Sequence, residues 1–228
     1  MRGAASTEGA DRSRAGDRGA RLLAAITAAG ESHRMGRPKA LLEWGDTTLL
    51  GAMVRTVRDA GLPAPAVVIG AHRVEVLAEV LDAGALPLEN PAYADGRLGS
   101  VAVAARWALR QTVRPAALML WPVDCPAVSD DTLFRMGREA SSYPDADVVP
   151  RYGGRGGHPV ILCHATLSSI IDAPPDGNLR ELMGRAAGGR RTIEVPDPAV
   201  LDNLNTPADY AAFLNRAATR ERARSEHG

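Results

Sequence analysis

The sequence predicts a three-layer α/β domain in which helices cover both faces of a mostly parallel, Rossmann-like sheet. Short apolar runs alternate with amphipathic segments, and the runs are continuous, as in strands buried on both faces. A length of 228 residues with 45% hydrophobic residues suits one core. We therefore expect a domain over 21–215, a disordered extension over 1–20 and a charged tail over 216–228.

The first half of the domain shows two strand–helix repeats. Residues 22–28 form an apolar run that ends in small residues, which is typical of a buried parallel strand. Between 47 and 60 apolar residues recur with helical spacing, and Gly61-Leu62-Pro63 ends that helix. A second strand is predicted at 66–69 and a second amphipathic helix at 74–81.

The later elements continue the alternation and then become less regular. They are a loop at 89–99, a helix at 100–109, a strand at 116–121, a helix at 129–140, two short strands joined by the Gly-rich residues 153–157, and helices at 178–187 and 207–214. Ser100 is a natural N-cap for its helix. Ligands of open α/β sheets bind beyond the carboxyl ends of the strands, so chemistry is expected after Ala28 and Trp121.

Bulk composition excludes several classes of partner. Lys+Arg and Asp+Glu number 27 each, so no uniform field draws the chain to nucleic acid or to an anionic membrane. No apolar run is long enough to span a bilayer, and residues 1–20 lack the apolar stretch of a secretory signal. Two cysteines are too few for a disulfide scaffold, and we therefore expect a cytoplasmic protein.

The loop after the first predicted strand combines glycine with positive charge. Gly30 and Gly36 let backbone N–H groups approach an anion, and Arg34, Arg37 and Lys39 supply cations. This is what a triphosphate requires, because several negative oxygens must be held while charge develops on leaving pyrophosphate. The spacing matches neither a Walker loop nor the dinucleotide-binding fingerprint of dehydrogenases.

The segment from Ile26 to Leu42 resembles the signature of nucleotidyltransferases related to molybdenum cofactor cytidylyltransferase and guanylyltransferase. Their pattern is Leu-Ala-Ala/Gly-Gly-x-Ser-x-Arg-Met-Gly, followed by Lys. The resemblance implies the nucleotidyltransferase fold of that family and an NTP substrate, with Arg34 and Lys39 acting on its phosphates in catalysis. It implies nucleotide binding by the matching loop residues Ala28, Ala29, Gly30, Ser32, Arg34, Gly36 and Lys39.

A second segment, Asn90 to Val101, resembles the Asn-Pro…Gly…Ser part of the family's nucleotide site. The resemblance implies that Asn90 and Ser100 belong to this site, with Ser100 near the base. This role is compatible with Ser100 as a helix cap.

The turn after the strand at 116–121 carries a candidate metal ligand. A carboxylate at a strand end is well placed to hold Mg²⁺, which prefers oxygen ligands and substrate phosphates. The alternative is that Asp124 is only a turn residue before Pro126. The family has a metal-binding Asp in a comparable Asp-x-Pro turn, so the resemblance implies that Asp124 holds Mg²⁺.

Near the end of the chain, the segment from Asn203 to Tyr210 resembles the family's Asp-x-Asp-Thr-Pro-x-Asp-Tyr. Both leading aspartates are asparagines in this chain. An amide oxygen still ligates Mg²⁺, but without negative charge. Asn205 is our candidate for the second metal ligand, with Asn203 as the alternative.

Two further segments point to the acceptor side of the site. His158 lies in a Gly-His-Pro-Val segment that also occurs in the cytidylyltransferase-like branch, and Arg180 lies in a segment that resembles the family's Gly-x-Leu-Arg-x-Leu. The resemblance implies that both residues bind the acceptor. The alternatives are a structural histidine and a solvated helix residue.

The sequence therefore predicts a Mg²⁺-dependent nucleotidyltransferase that joins NMP from an NTP to a phosphorylated small molecule. Ala28-Ala29-Gly30 and Gly157-His158-Pro159-Val160 resemble the cytidylyltransferase branch, which favours CTP over GTP and molybdopterin as acceptor. A molybdenum enzyme that receives the product is compatible with this reading. Two alternatives stay open: a non-catalytic nucleotide-binding regulatory protein and a metal-dependent phosphohydrolase.

Overall fold

The computed structural model describes residues 22–111 and 117–225, with side chains described as far as residue 219. The predicted extension over 1–20 lies outside these residues. The strands are β1 (Leu22–Ala28), β2 (Glu43–Trp44), β3 (Thr47–Thr48), β4 (Ala66–Ile69), β5 (Leu86–Glu89), β6 (Ala117–Pro122), β7 (Asp147–Tyr152), β8 (Arg155–Gly156), β9 (Val160–Cys163) and β10 (Arg190–Glu194). The helices are α1 (Leu49–Asp59), α2 (Arg73–Asp82), α3 (Arg97–Leu109), α4 (Asp130–Ser142), α5 (His164–Ile171), α6 (Leu179–Leu182) and α7 (Pro207–Ser225).

The main sheet has the strand order β10-β7-β9-β6-β1-β4-β5, with β8 paired to β7. Strand β1 is parallel to β4 on one side and to β6 on the other, so that Ala25 lies opposite both Ala66 and Leu120. Strands β4 and β5 are parallel, as are β7 and β10, whereas β9 is antiparallel to both of its neighbours. The chain thus continues on one side of β1 and later returns to the other side. This places a topological switch point at the carboxyl ends of β1 and β6.

Alternate residues of β1 enter two different cores. Ile26 packs in one cluster with Met53 of α1 and Met136 of α4. Ala25 belongs to another cluster with Ala105 of α3 and Leu167 of α5. Helices therefore cover both faces of the sheet, and the predicted three-layer, mostly parallel α/β architecture is confirmed.

A third cluster connects the end of the chain to the β1 loop. Phe213 of α7 packs in it with Met35 and Leu42, and the Trp44 ring meets Phe213 edge-on with centroids 5.0 Å apart. The hydroxyl of Tyr210 donates to the carbonyl of Glu43 at 2.6 Å. These contacts bring the residues just before α7 next to the loop after β1.

Three predicted helix boundaries differ from the structure by three residues or more. Helix α3 begins at Arg97, so Ser100 is a buried residue of its first turn and the prediction of Ser100 as N-cap is wrong. Helix α6 ends at Leu182 instead of 187, since Gly184 follows in a left-handed conformation with φ of 82°. Helix α7 continues to Ser225 instead of ending at 214, and Arg216 in it pairs with Asp202 at 3.0 Å.

None of the helices in the described part of the chain is long and apolar enough to cross a membrane.

Candidate active site at the carboxyl ends of β1 and β6

The loop after β1 is held in a compact shape by its own backbone. A single 3-10 turn spans His33–Met35, and its last residue, Met35, is buried. Ser32 before the turn and Gly36 after it have φ of 53° and 76°. A left-handed serine is uncommon, and such strained residues concentrate at functional sites. The hydroxyl of Ser32 accepts the Lys39 N–H at 3.3 Å, which fixes where the Lys39 side chain begins.

The start of this loop combines buried and open positions. Ala28 and Ala29 are buried, and the Ala29 carbonyl accepts the N–H of Ala71 at 3.1 Å. Gly30 is exposed, and a Cβ added there would meet no atom within 4 Å. Gly30 therefore leaves open space beside the loop for a ligand. The two buried alanines could contact that ligand only through their backbone atoms.

The turn after β6 presents Asp124 to the same place. The indole N–H of Trp121 donates to the Cys125 carbonyl at 2.7 Å, and the Cys125 N–H donates to Pro122 at 3.1 Å. The carbonyl of Asp124 also accepts the N–H of Leu204 at 2.8 Å. These bonds fix the turn and leave the Asp124 side chain about one third exposed.

Lys39, Asp124 and Asn205 meet at this point. The Lys39 ammonium donates to Asn205 Oδ1 at 3.0 Å and lies 3.6 Å from Asp124 Oδ2. The Lys39 side chain is only 12% exposed. Three residues that the sequence assigned to the site are thus in direct contact, although they come from three distant segments.

Asn205 is positioned by the start of α7. Its N–H and that of Thr206 donate to Asp209 Oδ2 at 3.0 and 2.8 Å, and the Asp209 N–H donates back to Thr206 Oγ1. These hydrogen bonds from Thr206 and Asn205, with Arg34 nearby, lower the pKa of Asp209. The Asn205 amide donates to Asn203 Oδ1 at 2.6 Å, so Asn203 helps to orient the Asn205 side chain.

Positive charge surrounds the Lys39 ammonium. Burial lowers the pKa of Lys39; Asp124 opposes this shift, and the nearby cations Arg34 and Arg97 reinforce it. Arg97, the first residue of α3, is a site residue that the sequence reasoning missed. The available signal was its position within the Asn90–Val101 segment, directly after Gly96.

Asn90 and Ser100 form a buried pair beside this cluster. The Asn90 amide donates to Ser100 Oγ at 3.0 Å, and the Asn90 N–H donates to the Ile69 carbonyl at 2.8 Å. The N–H of Gly99 donates to the Pro175 carbonyl at 3.2 Å, which ties α3 to the segment before α6. The pair therefore fixes the start of α3 near the carboxyl ends of β4 and β5.

His158 lies close to Asp124. Burial lowers the pKa of His158, while the nearby Asp124 acts in the opposite direction. Its backbone N–H donates to Val200 at 2.8 Å, but its Nδ1 is buried and makes no hydrogen bond with any described residue. A buried polar atom without a protein partner is costly, which favours a hydrogen bond from Nδ1 to a water molecule or to a ligand.

Among the described residues, no hydrogen bond or ion pair joins the Arg180 side chain to this cluster. Arg180 is exposed on α6, and its backbone N–H donates to Asn178 Oδ1 at 3.0 Å. Cys125, next to Asp124, is buried, and this burial raises its pKa so that the thiol stays protonated.

The carboxylates of the site are too few for the phosphohydrolase alternative. Within residues 22–111 and 117–225, no group of three or more His, Cys, Asp or Glu side chains is arranged to hold a metal. Two-metal hydrolytic centres use such clusters. One carboxylate with amide oxygens fits instead a cation that is bound largely by substrate phosphates.

Comparison with known proteins identifies the family. The model of the MobA-like NTP transferase domain matches residues 24–191. The molybdenum cofactor cytidylyltransferase of Escherichia coli K12 is 27% identical over 193 residues, covering 84% of this chain and 94% of that protein. A probable molybdenum cofactor guanylyltransferase of Mycobacterium marinum is 29% identical over 204 residues, covering 84% of this chain and 92% of that protein.

A solved structure agrees in fold. The crystal structure of the Rv0371C complex with manganese from Mycobacterium tuberculosis H37Rv superposes with a TM-score of 0.68, covering 87% of this chain and 100% of that chain at 23% identity. The matching family model covers β1 from residue 24, all of β6 and the loops after both strands, and it ends before Asn205. The chain therefore belongs to the MobA-like NTP transferase family, and it is a nucleotidyltransferase.

Proposed function

We propose that this enzyme transfers the NMP group of an NTP, CTP in preference to GTP, to a phosphorylated small molecule such as molybdopterin. The contact of Lys39 with Asp124 and Asn205 at the switch point is the observation that carries the proposal. The cytidylyltransferase of Escherichia coli supports the choice of CTP and of this acceptor class, as do Ala28-Ala29-Gly30 and Gly157-His158-Pro159-Val160.

In the proposed reaction an oxygen of the acceptor phosphate attacks the α-phosphorus of the NTP. A bond forms between that oxygen and the α-phosphorus, and the bond to the bridging oxygen breaks, which releases pyrophosphate. The open space at Gly30 admits the phosphates, and Arg34 and Lys39 neutralise the charge that develops on pyrophosphate. No covalent nucleophile of the protein is needed, so the protein acts by positioning and charge.

Mg²⁺ fits the residues that meet at Asp124. The Asp124 carboxylate and Asn205 Oδ1 are hard oxygen donors. Both are directed at the position that the Lys39 ammonium occupies in this structure. A bound Mg²⁺ would supply charge stabilisation on the phosphates. The manganese in the Rv0371C complex supports a divalent cation of this kind.

The acceptor is proposed to bind on the side of His158. The Nδ1 of its imidazole makes no hydrogen bond with the described residues, and burial lowers the pKa of the ring, which favours its neutral form. Arg180 is the proposed contact for the acceptor phosphate, and its exposed guanidinium makes no hydrogen bond or ion pair with the described residues. Asn90 and Ser100 are proposed to support the nucleotide, chiefly by holding the start of α3.

Pyrophosphate release tests the proposal. Purified protein is mixed with Mg²⁺ and each of CTP, GTP, ATP and UTP, with and without molybdopterin. We expect release that depends on the acceptor and is fastest with CTP. Faster release with GTP would reverse the base preference, and release of inorganic phosphate without acceptor would contradict NMP transfer.

A further inference from the structure

Lys39 is the only lysine among the 228 residues; the other 26 of the 27 basic residues are arginines. All the remaining Lys and Arg positions are arginine, and the one lysine lies in the centre of the site. Arginine presents a wide, planar fork, whereas the lysine ammonium is a compact point charge on a flexible stem. We therefore infer that position 39 requires a compact positive charge.

The surroundings of the ammonium are those of a metal ion. It lies 3.0 Å from Asn205 Oδ1 and 3.6 Å from Asp124 Oδ2, with the side chain only 12% exposed. Carboxylate and amide oxygens are the ligands that hard divalent cations choose. In this arrangement the ammonium occupies the position that a cation bound by these two oxygens would take.

The charge balance makes this position unfavourable for a second cation. Asp124 contributes one negative charge, and the Lys39 ammonium offsets it, while Asn205 and Asn203 are neutral amides. Arg34 and Arg97 add two positive charges near Lys39, and Asp209, which lies near Arg34 and accepts the Asn205 N–H, offsets one of them. A divalent ion that arrives alone meets net repulsion, whereas a metal–triphosphate complex brings its own negative charge and offers phosphate oxygens to the ammonium.

We propose that Lys39 is a displaceable counter-ion that occupies the cation position between Asp124 and Asn205 until a metal–nucleotide complex replaces it. This inference rests on the proposed function, since it assumes a divalent cation and an NTP. The nucleotide-free enzyme accordingly binds divalent cations weakly and takes them up together with the triphosphate. Lys39 then turns from the two protein oxygens to the phosphates, so one side chain both blocks premature metal binding and holds the substrate.

Binding of Mn²⁺ to the nucleotide-free protein tests this without any turnover. Free Mn²⁺ is followed by electron paramagnetic resonance during titration of the wild type and of Lys39→Met. We expect Lys39→Met to bind Mn²⁺ at least about tenfold more tightly, because a unit charge some 4 Å away changes binding by this much or more. The double variant Lys39→Met/Asp124→Asn should lose the gain.

Arg191→Met is the matched control. Arg191 pairs with Glu139, whose side chain is 23% exposed, so this substitution also releases a partly buried carboxylate and removes one positive charge. Its Mn²⁺ affinity should equal that of the wild type. A folded Lys39→Met that binds Mn²⁺ no more tightly than the wild type, or a control that gains as much, would overturn the proposal.

A measurement on the unmutated protein covers the case in which Lys39→Met does not fold. Because Lys39 is the only lysine, acetylation by an amine reagent, read by peptide mass spectrometry, reports on one side chain. Saturating Mn²⁺ should accelerate acetylation of Lys39 by releasing the ammonium, and an unchanged rate contradicts displacement. No nucleotide is present, so failure here is separate from failure of the pyrophosphate assay.

Discussion

Two aspartates at sheet ends have opposite surroundings. Asp147 at the start of β7 is fully buried, and its carboxylate accepts N–H groups of Cys163 and Gly184 and the Thr166 hydroxyl, each at 2.9 Å. Asp124 after β6 is one third exposed, and among the described residues its carboxylate is paired with Lys39 alone, at 3.6 Å.

The difference separates a structural carboxylate from one available to a ligand. Asp147 has its hydrogen-bonding capacity met by the protein and joins β7 to α5 and to the segment after α6. Asp124 keeps most of its capacity unused on a turn that the backbone already holds in place. We expect substitution of Asp147 to affect stability and substitution of Asp124 to affect turnover.

The largest expected effect is on turnover in Asp124→Asn. Losing this negative charge should lower the rate of pyrophosphate release about a hundredfold or more, the scale reached when one electrostatic group is removed from an active site. The free energy of unfolding, measured in urea, should change little. A folded Asp124→Asn with wild-type turnover would remove Asp124 from the site.

The next largest effect is on stability in Asp147→Ala. The buried donors of Cys163 and Thr166 and the partly buried N–H of Gly184 lose their acceptor, and the cost of each unpaired group suggests a loss of about 3 kcal/mol or more in the free energy of unfolding. Urea denaturation measures it. Asp147→Asn, which keeps one acceptor oxygen, should lose less; equal losses would show that hydrogen bonding is not the cause.

Two glycines of the β1 loop extend the comparison. Gly36 has φ of 76°, so Gly36→Ala should cost about 1 kcal/mol of stability. A Cβ at Gly30 meets no atom within 4 Å, so Gly30→Ala should leave stability unchanged and weaken NTP binding, measured by calorimetry. Unchanged NTP affinity in Gly30→Ala would mean that the phosphates do not approach this glycine.

The smallest expected effect is a pH dependence from His158. Burial places the pKa of folded His158 below the usual value of 6.5, so the unfolded chain binds a proton first as pH falls. His158 therefore destabilises the fold progressively as pH drops below about 6.5. The free energy of unfolding of the wild type, measured against pH, should therefore fall more steeply below pH 6.5 than that of His158→Asn, so that the two curves converge or cross. Parallel curves would contradict a lowered pKa.

The sequence predicted β1 and β4 with their observed bounds, because strands buried on both faces leave continuous apolar runs. It placed the start of α3 three residues late, because the Ser100 capping signal is visible in the sequence and the contact of Gly99 with Pro175 is not. The short α6 likewise depends on Gly184, whose N–H is bound by distant Asp147.

The candidate site was predictable where its residues are local. Ser32, Gly36 and Lys39 lie in one loop with a specific pattern. The contact of Lys39 with Asn205 spans 166 positions and exists only because α7 packs on β2 and on the loop. Arg97 was missed because its place in the Asn90–Val101 segment does not by itself show that the start of α3 lies near Lys39.

The indole of Trp121, whose N–H closes the turn that carries Asp124, gives the protein an optical reporter. The ring is wholly buried, so its emission responds to the local electric field more than to solvent. The chain has two other tryptophans, Trp44 and Trp107, which lie in β2 and α3. With both replaced by phenylalanine, the remaining fluorescence would follow events at the turn in real time, without any attached dye.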